Sequence, residues 1–207
     1  MTPSEDKAGA SKNKRKEKKF RPPKKITEKY LYNAGLAYLQ RFPASSSHFK
    51  TVMTRRIDKS CRYHKEQNRD ECLKLLDSTT DKFTDLGLLN DELYLKGMVT
   101  SLRRRGLPAR AIEAKLMQKG LNKDSIHAAL NDHDGEEYDN DKTGDYNAAL
   151  VFIRKKKLGP YDTNNRYTPE KALAAMARAG YSYDIAKKML EIDEAELEEK
   201  LSSLNAC

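Results

Sequence analysis

The residues best suited to chemistry in this chain are a Cys/His group, Cys61, His64 and Cys72, with His48 as a more distant fourth member. Thiolates and imidazoles are soft zinc ligands, but a structural zinc site usually closes with two tight ligand pairs. Here Cys61 and His64 make one pair and no second pair follows, so no metal site is expected. No Gly-rich phosphate loop, nucleophile elbow or paired His/carboxylate constellation occurs, so an enzyme is not expected and no cofactor is implied. His127 and His133 read as solvated helix positions. What remains concentrated is positive charge: Arg55/Arg56, Arg103, Arg104 and Arg105, and Arg154, Lys155, Lys156 and Lys157. Such clusters at helix ends favour the negative pole of the macrodipole, at about 0.3–1 kcal/mol each. They equally suit phosphates or acidic protein loops.

The elements that must position these charges are all helical. No convincing β alternation occurs, and the apolar residues recur at helical spacing. The stretch LRRRGLPARAIEAKLMQKG, from Leu102, has weaker echoes in LQRFPASSSHFKTVMTRRI from Leu39 and MARAGYSYDIAKKMLEID from Met176. Each runs from a basic helix end through a short turn into a helix with one apolar i/i+4 pair: Phe49/Met53, Ile112/Leu116 and Ile185/Met189. A unit met three times points to tandem modules and an extended binding surface. Chance likeness between helical hairpins is the competing account.

Capping residues set the expected boundaries. A first module over 27–86 starts on Thr27, is broken by Pro43, restarts on the Ser45–Ser47 run and stops at Gly87. A second, over 91–131, takes Asp91 as N-cap and turns Leu95, Met98, Val99, Leu102, Ile112, Leu116 and Met117 inward. Gly106 and Gly120 punctuate it, and Ile126, Ala129 and Leu130 mark its last helix. Residues 132–144 form an acidic, hydrated linker. A third module over 144–192 carries Phe152 and Ile153, then Thr168-Pro169 as a helix start, Leu173, Met176 and Ala177 inward, Gly180 as a stop and Ser182 as a cap. Residues 193–207 read as an acidic helix or frayed tail. The expected fold is all-α: three tandem three-helix repeats in an elongated, curved arrangement.

Of 207 residues 38% are hydrophobic and 34% charged, with no Trp. That is apolar-poor beside the roughly 45–50% of ordinary globules and suits thin helical cores. The net charge of +9 is unevenly placed: residues 1–25 hold ten Lys or Arg against three acidic residues, leaving 30 basic and 28 acidic residues elsewhere. With one large apolar residue, Phe20, and a Pro-Pro pair, residues 1–25 are expected to be a disordered basic arm, either polyanion-binding or merely solubilising. No run of about 18 apolar residues could span a membrane, and the basic N-terminus lacks the apolar core of a secretory signal. Three cysteines without a framework suit a reducing cytosol, so a cytoplasmic protein is expected.

The segment DLGLLNDELYLKGMVTSLRRRGLPARAIEAKLMQKGL resembles the central module of RecX-family regulatory proteins. RKKKLGPY (154–161) and ALAAMARAGYSYDIAKKML (172–190) are similar to the last module of one bacterial branch, and AYLQRFPASSSHFKTVMTRRI matches more loosely. The likeness covers about residues 27–192. It implies a non-enzymatic modulator of the bacterial recombinase RecA, lying along the groove of the RecA–single-stranded DNA filament. It would limit ATP turnover, strand exchange and coprotease function, with links to recombination, DNA repair and the SOS response.

Within that reading the candidate partner-binding residues are Arg103, Arg104, Arg105, Arg110, Lys115 and Lys119 of the middle module, and Arg154, Lys155, Lys156 and Lys157 of the last. Module surfaces bridging successive filament subunits would gain through effective concentration. Direct contact with single-stranded DNA through the cationic clusters is the alternative mechanism. Residues 91–120 have a helix–turn–helix look, but 109–119 offer few base-reading side chains, so sequence-specific DNA reading is not expected. A monomer is the expected state. The alternative function is a general basic nucleic-acid-binding protein acting mainly through its arm.

Overall fold

In a computed structural model, the described residues are 22–135 and 143–193, with 196–197, 199–200 and 202. They are all-helical, as the patterning requires, and contain no strand. Thr27 opens α1 (Glu28–Leu39) by accepting the Tyr30 amide. Ser45 caps α2 (Ser46–Tyr63) through the His48 amide, and Asn68 caps α3 (Arg69–Asp85). Next come α4 (Asp91–Arg104), α5 (Ala109–Met117) and α6 (Lys123–Gly135). The series ends with α7 (Thr143–Lys156), a single 3-10 turn at Gly159–Tyr161, α8 (Pro169–Ala179) and α9 (Tyr183–Leu190).

Burial follows three clusters. The first joins Leu31, Phe49, Met53, Ile57, Leu76 and Phe83; the second Leu95, Val99, Leu102, Ile112, Leu116 and Ile126; the third Ala149, Leu150, Ile153, Met176 and Met189. Helix α3 packs on α1 and α2, α6 on α4 and α5, and α9 on α7 and α8. Close approach in the first cluster rests on Gly35: a Cβ there would lie 2.7 Å from the Phe83 ring and 2.9 Å from the Phe49 ring.

Neighbouring clusters are joined by one device used twice. The first-turn N–H groups of a helix have no intrahelical acceptor and must find one elsewhere. The Ser46 amide, at the start of α2, donates to Asp91 Oδ1 at the start of α4, 2.7 Å away. The Ala109 amide, at the start of α5, donates to Asp145 Oδ1 in the first turn of α7, also at 2.7 Å. At the matching position of α8 stands Pro169, which has no N–H to satisfy. The Ser45 hydroxyl donates to the Lys119 carbonyl at 2.8 Å, and the buried Tyr181 hydroxyl donates to the Gly106 carbonyl at 2.8 Å.

Several expectations change. Asp91 is not the N-cap of α4: Asn90 accepts the Leu93 amide, which leaves the Asp91 carboxylate free to reach α2. Met117 is 49% exposed because it falls on the last residue of α5, beyond the packed face, and Ala177 is exposed while Ala172 and Met176 face inward. The third echo pairs α8 with α9, the second and third helices of their trio, whereas α4 and α5 are the first and second of theirs. An i/i+4 apolar pair marks any amphipathic helix, so spacing alone could not separate these cases.

The supposed linker is also shorter at both ends. Helix α6 continues to Gly135 and α7 begins at Thr143, and residues 136–142 lie outside the described part. Residues 1–21 of the arm lie outside it too. Its last residues are anchored: the Pro23 carbonyl faces His64 Nε2 at 2.8 Å, the Lys24 carbonyl accepts from the Ser60 hydroxyl, and Gln67 bonds both backbone groups of buried Ile26. The arm looked unanchored because its fasteners are polar groups some forty residues away.

Candidate functional site

The cationic residues divide into a buried structural group and an exposed set. Arg103 is in the first class, with 7% of its side chain exposed. It pairs through Nε and Nη2 with Asp134 at the end of α6, and through Nη1 with Asp145 at 2.6 Å and the Leu107 carbonyl at 3.1 Å. The planar guanidinium fork suits this multiple bonding, which a lysine could not reproduce. Burial alone would raise the Asp134 carboxyl. The hydrogen bonds from His133 and Arg103, and the charges behind them, outweigh that and hold it below the usual carboxylate range. Arg103 thus ties α4 to α6 and α7, and it is not part of a partner-facing patch. In sequence it was indistinguishable from its two neighbours, because its acidic partners lie 31 and 42 residues downstream.

Arg104, Arg105, Arg110 and Lys115 are exposed on α4, its C-cap and α5. Lys119 is half-buried and sits near the start of α2. Partial burial, then the charges of Lys119 and Arg55, depress the His48 imidazole below its ordinary value. This positive field spans the first two clusters. It adjoins an open groove along α2 lined by Ser46, Ser47, Lys50, Thr51, Thr54 and Arg55. Sequence reasoning flagged Arg55 but missed that Lys119 and Arg55 both act on His48. His48 lies in the first turn of α2, Arg55 in its middle and Lys119 two residues past α5, so nothing in the sequence pointed to their meeting.

Arg154, Lys155, Lys156 and Lys157 are all exposed at the end of α7. The helix closes with the Leu158 amide on the Ile153 carbonyl and the Lys157 amide on that of Arg154. This reversal needs a left-handed residue, usually glycine. Gly87, Gly106, Gly120 and Gly180 fill that place after α3, α4, α5 and α8 with φ of +68°, +76°, +76° and +102°. After α7 the residue is Lys157, with φ +53°.

Among the described residues, no group of three His, Cys, Asp or Glu side chains could hold a metal ion. None of their helices is long and apolar enough to cross a membrane. The exposed set forms a cationic surface on α4, α5 and the end of α7. Comparison with known proteins supplies the context. The regulatory protein RecX of Myxococcus xanthus is 36% identical over 193 residues, covering 92% of this chain and the whole of that protein. The chain belongs to the RecX family of regulatory proteins. RecX of Agrobacterium fabrum is 33% identical over 119 residues, 55% of this chain and 58% of its own, and RecX of Thermobifida fusca is 25% identical over 126 residues, 60% and 64% respectively. No family model and no solved structure matches. As a RecX-family member the protein is a regulator, and its exposed charges are to be weighed in that light.

Proposed function

We propose that this RecX-family regulator binds RecA filaments on single-stranded DNA and restrains their ATP turnover, strand exchange and coprotease function, as a monomer in the cytoplasm and without catalysis of its own. The three helical units act as successive docking modules whose modest contacts combine through effective concentration. Arg104, Arg105, Arg110, Lys115, Lys119 and Arg154–Lys157 contribute the cationic part of the contact, facing DNA phosphates or acidic loops in the filament groove.

Lys157 is the observation that carries this reading. A left-handed conformation costs a non-glycine residue roughly 1–2 kcal/mol, and four other helix ends in the chain avoid it with glycine. A solvated helix end would lose nothing by having glycine there too. A lysine held at that cost, exposed beside three other exposed cations, fits a position used for contact.

The test separates stability from function. Lys157→Gly should melt at or above the parent by about 1 kcal/mol, because the strain is relieved, while inhibition of recombinase ATPase on single-stranded DNA weakens. The assay is run at two salt concentrations, since electrostatic docking fades as screening rises. A variant that is folded and inhibits like the parent at both removes Lys157 from the contact. For the alternative, in which the arm is the main determinant, residues 1–21 are deleted and the anchored Pro23–Ile26 segment is kept. A general polyanion binder then loses most of its affinity, and a filament regulator keeps its inhibition.

A further inference from the structure

We propose that Cys61 and Cys72 form a reversible disulfide between α2 and α3, making the first helical unit a thiol–disulfide site open to hydroperoxides. The placement follows from the antiparallel packing of the two helices. Along α2 the inward positions step by four: Phe49, Met53, Ile57, then Cys61. Along α3 they descend in the opposite direction: Phe83, Thr80 and Thr79, Leu76, then Cys72. The first rung is in ring contact, with the Phe49 and Phe83 centroids 5.6 Å apart. Residues of both middle rungs are buried, so Cys61 and Cys72 form the last rung, beside the short 64–68 connection. Facing positions at the close end of such a hairpin suit the roughly 4.4–6.8 Å Cα separation of a disulfide.

Cys61 packs against the buried cluster that contains Cys72, and burial, followed by the proximity of Cys61, pushes the Cys72 thiol up to about 11. They differ in access. Cys72 is 4% exposed, whereas Cys61 is half-buried and lines a surface groove with Asp58, Arg62, Lys65 and Arg69. Cys61 is therefore the attacking sulfur and Cys72 the resolving one.

The Cys61 thiolate attacks one peroxide oxygen and the O–O bond breaks. The departing hydroxide takes up a proton as water, leaving a sulfenic acid. The Cys72 sulfur then attacks Cys61, the S–O bond breaks, and hydroxide leaves with the Cys72 proton as a second water. The two thiols lose two electrons in all, and one hydrogen peroxide is reduced to two waters. A dithiol reverses the bond by exchange. The groups that anchor the arm, Ser60, His64 and Gln67, flank this rung, so oxidation would also tie down their surroundings.

The experiment treats the full chain carrying Cys207→Ser with hydrogen peroxide, alkylates remaining thiols after unfolding, and maps the peptides. The expected result is a Cys61–Cys72 cross-linked peptide that disappears on dithiol treatment. In Cys72→Ser, Cys61 should be captured as a sulfenic acid by a dimedone-type reagent, and in Cys61→Ser, Cys72 should stay alkylatable. Recovery of both thiols unmodified after peroxide overturns the proposal. So does Cys61 reaching sulfinic or sulfonic acid while Cys72 stays free. The peptide map of the parent decides even where a serine variant fails to fold.

Discussion

Replacing Arg103 with alanine should unfold this protein more readily than the same change at either neighbouring arginine. The guanidinium is 7% exposed and its partners Asp134 and Asp145 are 16% and 24% exposed, so solvent cannot take its place. Removing one member of a buried ion pair costs about 3–5 kcal/mol, because the remaining charge stays desolvated. Asp134 keeps His133, and Asp145 keeps the Ala109 amide, which favours the lower end, about 3 kcal/mol. A chain of this size loses roughly 2–4 °C of Tm per kcal/mol, so Arg103→Ala should melt about 6–12 °C below the parent. Arg104→Ala and Arg105→Ala should stay within about 0.5 kcal/mol, as exposed side chains do.

Thermal melts by circular dichroism at neutral pH check this, and a pH series adds a signature. Asp134 is held below its ordinary value of 3.8, so its ionised form contributes stability above that pH. The contribution is lost as pH falls through the lowered value, and the gap between the parent and Arg103→Ala should narrow there. Equal melting temperatures for the Arg103 and Arg104 variants at neutral pH would refute the reasoning. Reversing all three arginines to Glu, which looks harmless if they are surface charges, would set a carboxylate against Asp134 and Asp145 and report on folding rather than on partner contact.

Two junction contacts yield further outcomes. Tyr181→Phe should cost about 1–2 kcal/mol, because the Gly106 carbonyl loses its buried donor; a melt unchanged from the parent would show that water replaces the hydroxyl. Asp91→Ala should cost about 1–2 kcal/mol by leaving the Ser46 amide without its acceptor. Its effect should show as faster hydrogen exchange at the start of α2, and unchanged exchange there would mean that Ser46 finds another partner.

Much of this molecule was legible without coordinates because helix signals are local. Thr27, Ser45, Thr168 and Ser182 cap helices as their side chains allow. Gly87, Gly106, Gly120 and Gly180 end them through positive φ, and the periodic Leu95, Val99 and Leu102 are buried. The resemblance to RecX proteins, carried by the middle hairpin and the last helices, agrees with relatives that match nearly the full chain. Exposure was the weaker inference. Met117 and Ala177 sit at the edges of their helical faces, where one turn of packing decides whether a side chain is covered.

Sequence by itself determined the helical class, most caps and stops, and the family, since each depends on residues within a few positions or on a long run of small agreements. Tertiary structure decided what the charges do. Arg103, Arg104 and Arg105 are adjacent and chemically alike. Only Arg103 meets Asp134 and Asp145, because folding brings the end of α6 and the start of α7 onto α4. A similar distance in sequence hid the polar anchors of Pro23–Ile26. A charge or a thiol carries no mark of its partner, and that partner is set by which helix faces the core makes adjacent.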